Sequence, residues 1–277
     1  MAEVGIVVKH EPSEGGVIKQ VWGALAERHG IPFWTQPHEG AINLYTHGRS
    51  HFEHPVHEYG VYIGHGIADK GNWRHHAPRF DALVVPHAYL AWKLPNTGRP
   101  VLVGGVPMFH DLEERQPLSK RVLIATTINP FKDKPGYRYA SEDGLGDTIA
   151  SVLAQHGWSA TVSEHPSKNL GLATPLDAYL DAEIVVADPG SPAIIATALG
   201  RPVIRTPGTR ALRGTFEYTL ENDWYTPGTV AQIPGLAARQ HRTISPRRRR
   251  YAGWPREWMW GSVLDNLLAF AEKKGVH

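Results

Sequence analysis

The chain predicts an α/β protein made of two Rossmann-like, doubly wound lobes with a cleft between them, and three observations carry that prediction. Short, continuous apolar runs recur along the sequence, as they do in parallel strands buried on both faces. Segments with a helical apolar stripe separate those runs. The pattern breaks once, at the polar, proline-containing stretch Asp111–Lys120, and then restarts. A length of 277 residues, at about 150 residues per domain, fits two domains or one large one. The expected division is residues 1–115 for an amino-terminal lobe, 116–255 for a carboxy-terminal lobe, and 256–277 for a helix packing back on the first.

In chain order, Val4–Val8 is apolar and β-branched and reads as the first strand. Gly15–Gly30 carries Val17, Val21, Ala24 and Leu25 at helical spacing. Strands follow at Ala41–Tyr45, Tyr59–Gly64, Asp81–Val85 and Val101–Gly104. After the break, Arg121–Ala125 restarts the sheet, Asp147–His156 reads as a helix stopped by Gly157, and Ser159–Ser163 as the next strand. A short helix over Pro175–Leu180 leads to the strand Glu183–Ala187. A helix over Pro192–Leu199, ended by Gly200, leads to the strand Pro202–Arg205. Arg256–Lys273 closes the chain with a stripe of Val263, Leu264, Leu267, Leu268 and Ala271.

Composition narrows the chemistry. The apolar fraction of 42% and charged fraction of 20% belong to a chain with a substantial core. There is no cysteine, which excludes disulfides, thiolate metal sites and thiol nucleophiles. The first residues lack a basic segment followed by an apolar one, and no run of about 18 apolar residues occurs, so the expectation is a cytoplasmic protein without a membrane span.

Charge and histidine are unevenly spread. Of 29 basic side chains, seven arginines fall within Arg239–Arg256, including the run Arg247, Arg248, Arg249 and Arg250; 22 basic and 27 acidic residues remain elsewhere. Such a patch attracts phosphate-bearing partners, or is a solvated loop ahead of the last helix. Trp254, Trp258 and Trp260 add aromatic faces able to grip a polyanion, or pack that helix against the first lobe. His51, His54 and His57 offer three imidazoles, but spacings of three do not keep them on one helical face and Pro55 breaks any helix there. A polar loop fits them better than a metal site.

Four segments lie just after expected strands, where doubly wound folds bind ligands. In Gly64-His65-Gly66, a histidine sits between two glycines, with Asp69 and Lys70 close behind; its imidazole suits a general base and the lysine a phosphate. His165-Pro166 ends a strand and can offer a donor to a phosphate oxygen. In Asp188-Pro189-Gly190-Ser191-Pro192, Ser191 reads as an N-cap with Pro192 at the first helical position, opening a helix whose free amides favour a diphosphate. Thr126, Thr127 and Asn129 follow the first strand of the second lobe and present hydroxyls and amides.

Taken in this order, these motifs resemble those of GT-B-fold glycosyltransferases. The likeness is strongest to the CDP-glycerol glycerophosphotransferases and their capsule and teichoic acid relatives, and weaker to UDP-N-acetylglucosamine 2-epimerases. It rests on His65-Gly66-x-x-x-Lys70, Gly105-x-Pro107 with Asp111, Thr126-Thr127, His165-Pro166, Asp188-x-Gly190-Ser191, and Ala196-x-x-Leu199-Gly200-x-Pro202-Val203-Ile204. The resemblance implies His65 as the catalytic base, with Asp69 as the second catalytic candidate. It implies His165, Gly190 and Ser191 as phosphate ligands, with Lys70, Thr126, Thr127, Asn129 and Asp188 on the donor side. The ribose-binding acid that relatives carry seven positions after the loop's aspartate is Ile195 here, and Asp111 falls one residue later than usual.

The expected activity is inverting transfer of a sugar, or a polyol phosphate, from a nucleotide-activated donor (UDP-sugar or CDP-linked) to an acceptor hydroxyl. The expected acceptor is a polyanion: hydroxymethylated DNA or a cell-surface polymer gripped by Arg247–Arg250. No Asp-x-Asp metal motif stands out, so no cofactor or metal is expected, with the helix start and Arg205 or Arg210 neutralising the leaving group. The rival readings are an epimerase acting on a UDP-sugar and a non-catalytic nucleotide-sugar-binding protein.

Overall fold

The structure is a computed structural model describing residues 5–9, 15–34, 41–46, 59–63, 77–94, 98–105, 115–126, 140–163, 176–211, 213, 215–239 and 258–273. The chain divides into two compact units: Met1–Leu112 together with Gly253–His277, and Glu113–Ala252.

The first unit holds β1 (Ile6–Lys9), α1 (Gly15–Arg28), β2 (Phe33–Trp34), β3 (Ile42–Tyr45), β4 (Tyr59–Tyr62), β5 (Ala82–Val85), α2 (Ala88–Lys93) and β6 (Val101–Val103). The strands form one six-stranded sheet in the order β2-β1-β3-β4-β5-β6, and every pairing is parallel. Gly5 leads into β1 where a Cβ would collide with the Trp34 ring and the Pro32 carbonyl, so only glycine lets β1 start beside β2.

The second unit holds β7 (Arg121–Ala125), α3 (Leu145–Gln155), β8 (Ser159–Ser163), α4 (Leu176–Asp181), β9 (Ile184–Ala187), α5 (Ser191–Ala198), β10 (Val203–Arg205), α6 (Phe216–Leu220) and α7 (Ile233–Ala238). Its sheet runs β10-β9-β7-β8, again parallel throughout. Alternation along β7 divides its side chains: Val122 and Ile124 enter a core with Ile149 and Leu153 of α3 and Ile233 and Ala237 of α7. Leu123 and Ala125 point the other way and are equally buried, which is why the strand reads as an unbroken apolar run.

The chain then returns to the first unit through α8 (Trp258–Lys273). Val263, Leu264, Leu267 and Ala271 of this helix share one core with Trp22, Leu25 and Ala26 of α1 and with Ile42, Leu44, Tyr59 and Val61 of the sheet. The opposite face of the same sheet carries a second cluster, in which Tyr45, Tyr62 and Phe80 pack with Leu90 and Leu94 of α2. The Tyr62 and Phe80 rings stack at 5.2 Å. No described helix is long and apolar enough to cross a membrane.

The observed strands start or stop within about two residues of the expected ones. Sequence periodicity did not reveal β2, two residues long, or the short helices α2, α6 and α7. The polar stretch at Asp111–Lys120 contains the boundary between the units; at its end Arg121 N–H donates to the Leu118 carbonyl at 3.2 Å to start β7.

Burial of three tyrosines in the first unit sets a pH response. Loss of water raises the phenols of Tyr45, Tyr59 and Tyr62 from 10.0 to about 12, and Asp81 adds a smaller upward push at Tyr59. A phenol held protonated in the native state but free to ionise in the unfolded chain stabilises the fold fully below pH 10. That stability is lost as pH climbs from 10 toward 12. Tyrosinate absorbance followed against pH, beside circular dichroism, should show these three ionising only together with unfolding. Smooth titration of all ten tyrosines near pH 10 in a folded chain would contradict it.

Candidate functional site

In the second sheet the chain leaves β7 for β8 on one side and later reaches β9 on the other. The crevice of a doubly wound sheet opens at such a reversal, outside the carboxyl ends of β7 and β9. Ala125 and Ala187 are register partners at those ends, so Thr126 and Asp188 follow side by side. The Asp188 N–H donates to the Ala125 carbonyl at 3.3 Å, and the Thr126 N–H to the Ser163 carbonyl at 3.3 Å.

Asp188 is 0% exposed. Its Oδ2 accepts from the Ser141 N–H at 3.2 Å and the Ser141 hydroxyl at 3.0 Å. Its Oδ1 accepts a short bond from the Thr206 hydroxyl. Thr206 is tied in turn to Thr209, whose hydroxyl lies 2.9 Å from that of Thr206 and donates to the Thr206 carbonyl at 2.8 Å. One enclosed carboxylate thus joins the segment before α3, the end of β9 and the segment after β10. Asp188 is a positioning residue: it fixes the loop that opens α5.

That helix start differs from the sequence expectation in one respect. The N-cap is Gly190, not Ser191; Ser191 and Pro192 are the first two helical residues, and among the described residues no side chain caps the helix's opening amides. Gly190 takes up an extended backbone, φ 171° and ψ −158°, so the turn of the chain into the helix falls one residue early. The Ser191 and Ala193 amides have no partner four residues back, Pro192 has no N–H, and the positive end of the helix dipole lies there. At its other end α5 is fastened by Thr197, which donates to the Ala193 carbonyl at 2.8 Å and accepts from the Trp224 indole at 3.0 Å.

The floor of the crevice is closed by α3. A Cβ on Gly146 would lie 3.0 Å from Val162, 3.7 Å from Ile124 and 3.8 Å from Thr126, so glycine lets the first turn of α3 settle against the strand ends. At the edge of the sheet Arg205, the last residue of β10, forms an ion pair with Glu221 in a mostly buried setting, and burial lowers the arginine's pKa. Arg210 is exposed.

The structure therefore brings together Thr126, Asp188, Gly190 and Ser191 of the expected site. His65, Asp69, Lys70, Thr127, Asn129, His165, Arg247, Arg248, Arg249 and Arg250 lie outside the described residues, as do His51, His54 and His57. Among the described residues no three His, Asp or Glu side chains are grouped to hold a metal ion. Ser141, Thr206, Thr209 and Glu221 were not expected. Thr206 directly follows an expected strand and was legible in principle, whereas Ser141 lies 47 residues from Asp188 with no local signal.

In the first unit the carboxyl edge of the sheet carries a further polar residue. His87 follows β5, is buried, and caps α2: its Nδ1 accepts from the Leu90 N–H at 3.1 Å. The next strand in the sheet, β4, is followed by Ile63, whose N–H donates to the Tyr45 carbonyl at 2.9 Å; the chain then runs into Gly64-His65.

The fold is that of the GT-B group that the motifs resemble. A structure of the wall teichoic acid polymerase TagF superposes with a TM-score of 0.61 at 10% identity, covering 98% of this chain and 90% of that one. The S. aureus MnaA–UDP co-structure gives 0.56 at 11% identity over 98% and 97%. A protein described as a UDP-N-acetylglucosamine 2-epimerase from Listeria monocytogenes gives 0.54 at 11% over 97% and 96%. No protein-family model matches the chain, and no curated protein matches it.

Proposed function

We propose that this protein transfers a sugar, or a polyol phosphate, from a nucleotide-activated donor to the hydroxyl of an acceptor polymer. The observation that carries the reading is the uncapped start of α5, Gly190 to Ala193, lying at the reversal of the second sheet and locked there by Asp188. Fixed amides at a helix start stabilise an anion without reorganising during reaction. In a sugar transfer His65 takes the acceptor's proton, the freed oxygen bonds to the donor's anomeric carbon, and the bond from that carbon to the diphosphate breaks. The nucleoside diphosphate leaves with the electron pair and its charge meets the amides of α5. The likeness to TagF, also seen with CDPG (TM-score 0.58, 11% identity, 99% of this chain and 90% of that chain), and to the MnaA–UDP co-structure supports a nucleotide at this edge.

The test is a thermal-shift series with UDP, CDP and GDP. A bound nucleotide at a hundredfold excess over its Kd stabilises the native state by about 2.7 kcal/mol. Ser191→Glu should fold, since an acid suits the first turn of a helix, yet should abolish the shift by placing a carboxylate where the phosphate binds. His65→Ala should keep the shift and lose turnover. Absence of a shift with every nucleotide, or parental turnover by His65→Ala, would overturn the reading.

A second reading, interconversion of a UDP-sugar, is favoured by near-complete coverage of the epimerase structure, 96% of that chain. Conversion of UDP-N-acetylglucosamine with no acceptor present would select it over transfer.

A further inference from the structure

A cavity of about 350 Å³ opens at the amino ends of β7, β8 and β9, lined by Lys120, His156, Trp158, Glu183 and Pro234. It belongs wholly to the second unit and lies at the opposite edge of that sheet from Asp188 and the start of α5.

The turns that lead into the strands build it. Ahead of β7, Lys120 has φ 53° and is the one non-glycine residue in the left-handed region among the described residues. Glycine adopts that conformation freely and lysine does not. The turn is held on both sides: the Lys120 N–H donates a short bond to Glu183 Oε2, and its carbonyl accepts from the Ser159 N–H at 2.9 Å. Ahead of β8, α3 ends at His156, and Gly157 at φ 76° turns the chain so that Trp158 packs with Ile233 and Ala237 of α7. A Cβ on Gly157 would lie 3.5 Å from Lys120 Nζ, so the ammonium sits beside bare backbone. Trp158, 7% exposed, and the buried Pro234 supply the apolar floor.

Lys120 engages Glu183 through its backbone alone. Among the described residues its ammonium pairs with no carboxylate, and the His156 side chain has no partner. An ammonium and a carboxylate thus line one cavity without neutralising each other, above an apolar floor. The carboxyl end of α3 adds negative potential on the His156 side. The complement of that arrangement carries a carboxylate, an ammonium and an apolar body.

We propose that this cavity binds an α-amino acid with an apolar side chain. Its carboxylate meets Lys120, its ammonium meets Glu183, and its side chain lies on Trp158 and Pro234. Ligand pockets span about 300–1,000 Å³, and this one, at the small end, suits a single amino acid better than a nucleotide sugar. The site stands apart from the transferase reading, which concerns the other edge of the sheet.

The experiment titrates the full chain calorimetrically with L-phenylalanine and L-leucine. Phenylacetate, which lacks the ammonium, and phenethylamine, which lacks the carboxylate, are run beside them. The parent should bind at least one amino acid, and each single-charge analogue about tenfold more weakly or worse, the scale of one charge-assisted hydrogen bond. Lys120→Gly relieves the left-handed backbone, so it should melt no lower than the parent while losing about tenfold in amino-acid affinity. Lys120→Arg should keep most of that affinity. Glu183→Gln retains an acceptor for the Lys120 amide and should also bind about tenfold more weakly. The proposal is overturned if the parent binds neither amino acid, if either analogue binds as tightly as the amino acid, or if folded Lys120→Gly binds as the parent does.

Discussion

Asp188→Ala should lower the stability of the second unit by about 3–5 kcal/mol, the range for stripping the acceptor from several enclosed donors. The Ser141 amide, the Ser141 hydroxyl and the Thr206 hydroxyl all lose their acceptor at once, in a place with no exposure to water. Asp188→Asn keeps the shape but turns an amide toward donors, and should recover only part of the loss. Denaturant unfolding with a probe in the second unit reads both values. A change below about 1 kcal/mol for Asp188→Ala, the scale of one ordinary hydrogen bond, would mean that the bracket does not hold the loop.

The second large effect lies at the neighbouring strand end. Glu221→Ala leaves the Arg205 guanidinium, 12% exposed against 17% for its partner, as an uncompensated charge, and should cost about 2–3 kcal/mol. Replacing both groups, Arg205→Met with Glu221→Leu, should restore most of that stability, because a buried ion pair and a well-packed apolar pair are of similar worth. A double variant as unstable as Glu221→Ala alone would show that the arginine is not the cause. If Arg205 also neutralises the leaving group, the double variant will be stable and still slow, separating folding from chemistry.

These two sites show where sequence reading succeeds and where it stops. Strands such as Arg121–Ala125 and Ile184–Ala187 announce themselves because burial on both faces leaves no polar residue inside them. The stop at Gly200 is legible because a residue at φ 73° favours glycine. The loop Asp188-x-Gly190-Ser191 is also visible as a motif, but the work of its aspartate is not. The partners come from Ser141 and Thr206, brought in by the crossover of the sheet, and nothing near Asp188 in sequence points to them. The misplaced cap has a similar origin. Serine before proline is a strong local signal for an N-cap, and it was outweighed by the extended path of Gly190 out of β9. Helices α2, α6 and α7 escaped notice because five or six residues are too few to show a period, and the cap of α2 is an imidazole rather than a hydroxyl or carboxylate; α4, no longer than α2, was read from Pro175–Leu180.

The return of α8 to the first unit carries a consequence for biosynthesis. Residues 113–252 are contiguous, so they hold everything their own core requires as soon as they emerge from a ribosome. The amino-terminal portion is made earlier yet must wait, because Leu264 and Leu267 cover part of its sheet and are translated only after the whole second unit. The half synthesised first is thus the half completed second, and a nascent chain halted before Trp258 would expose Leu44 and Val61 to any chaperone or protease at hand.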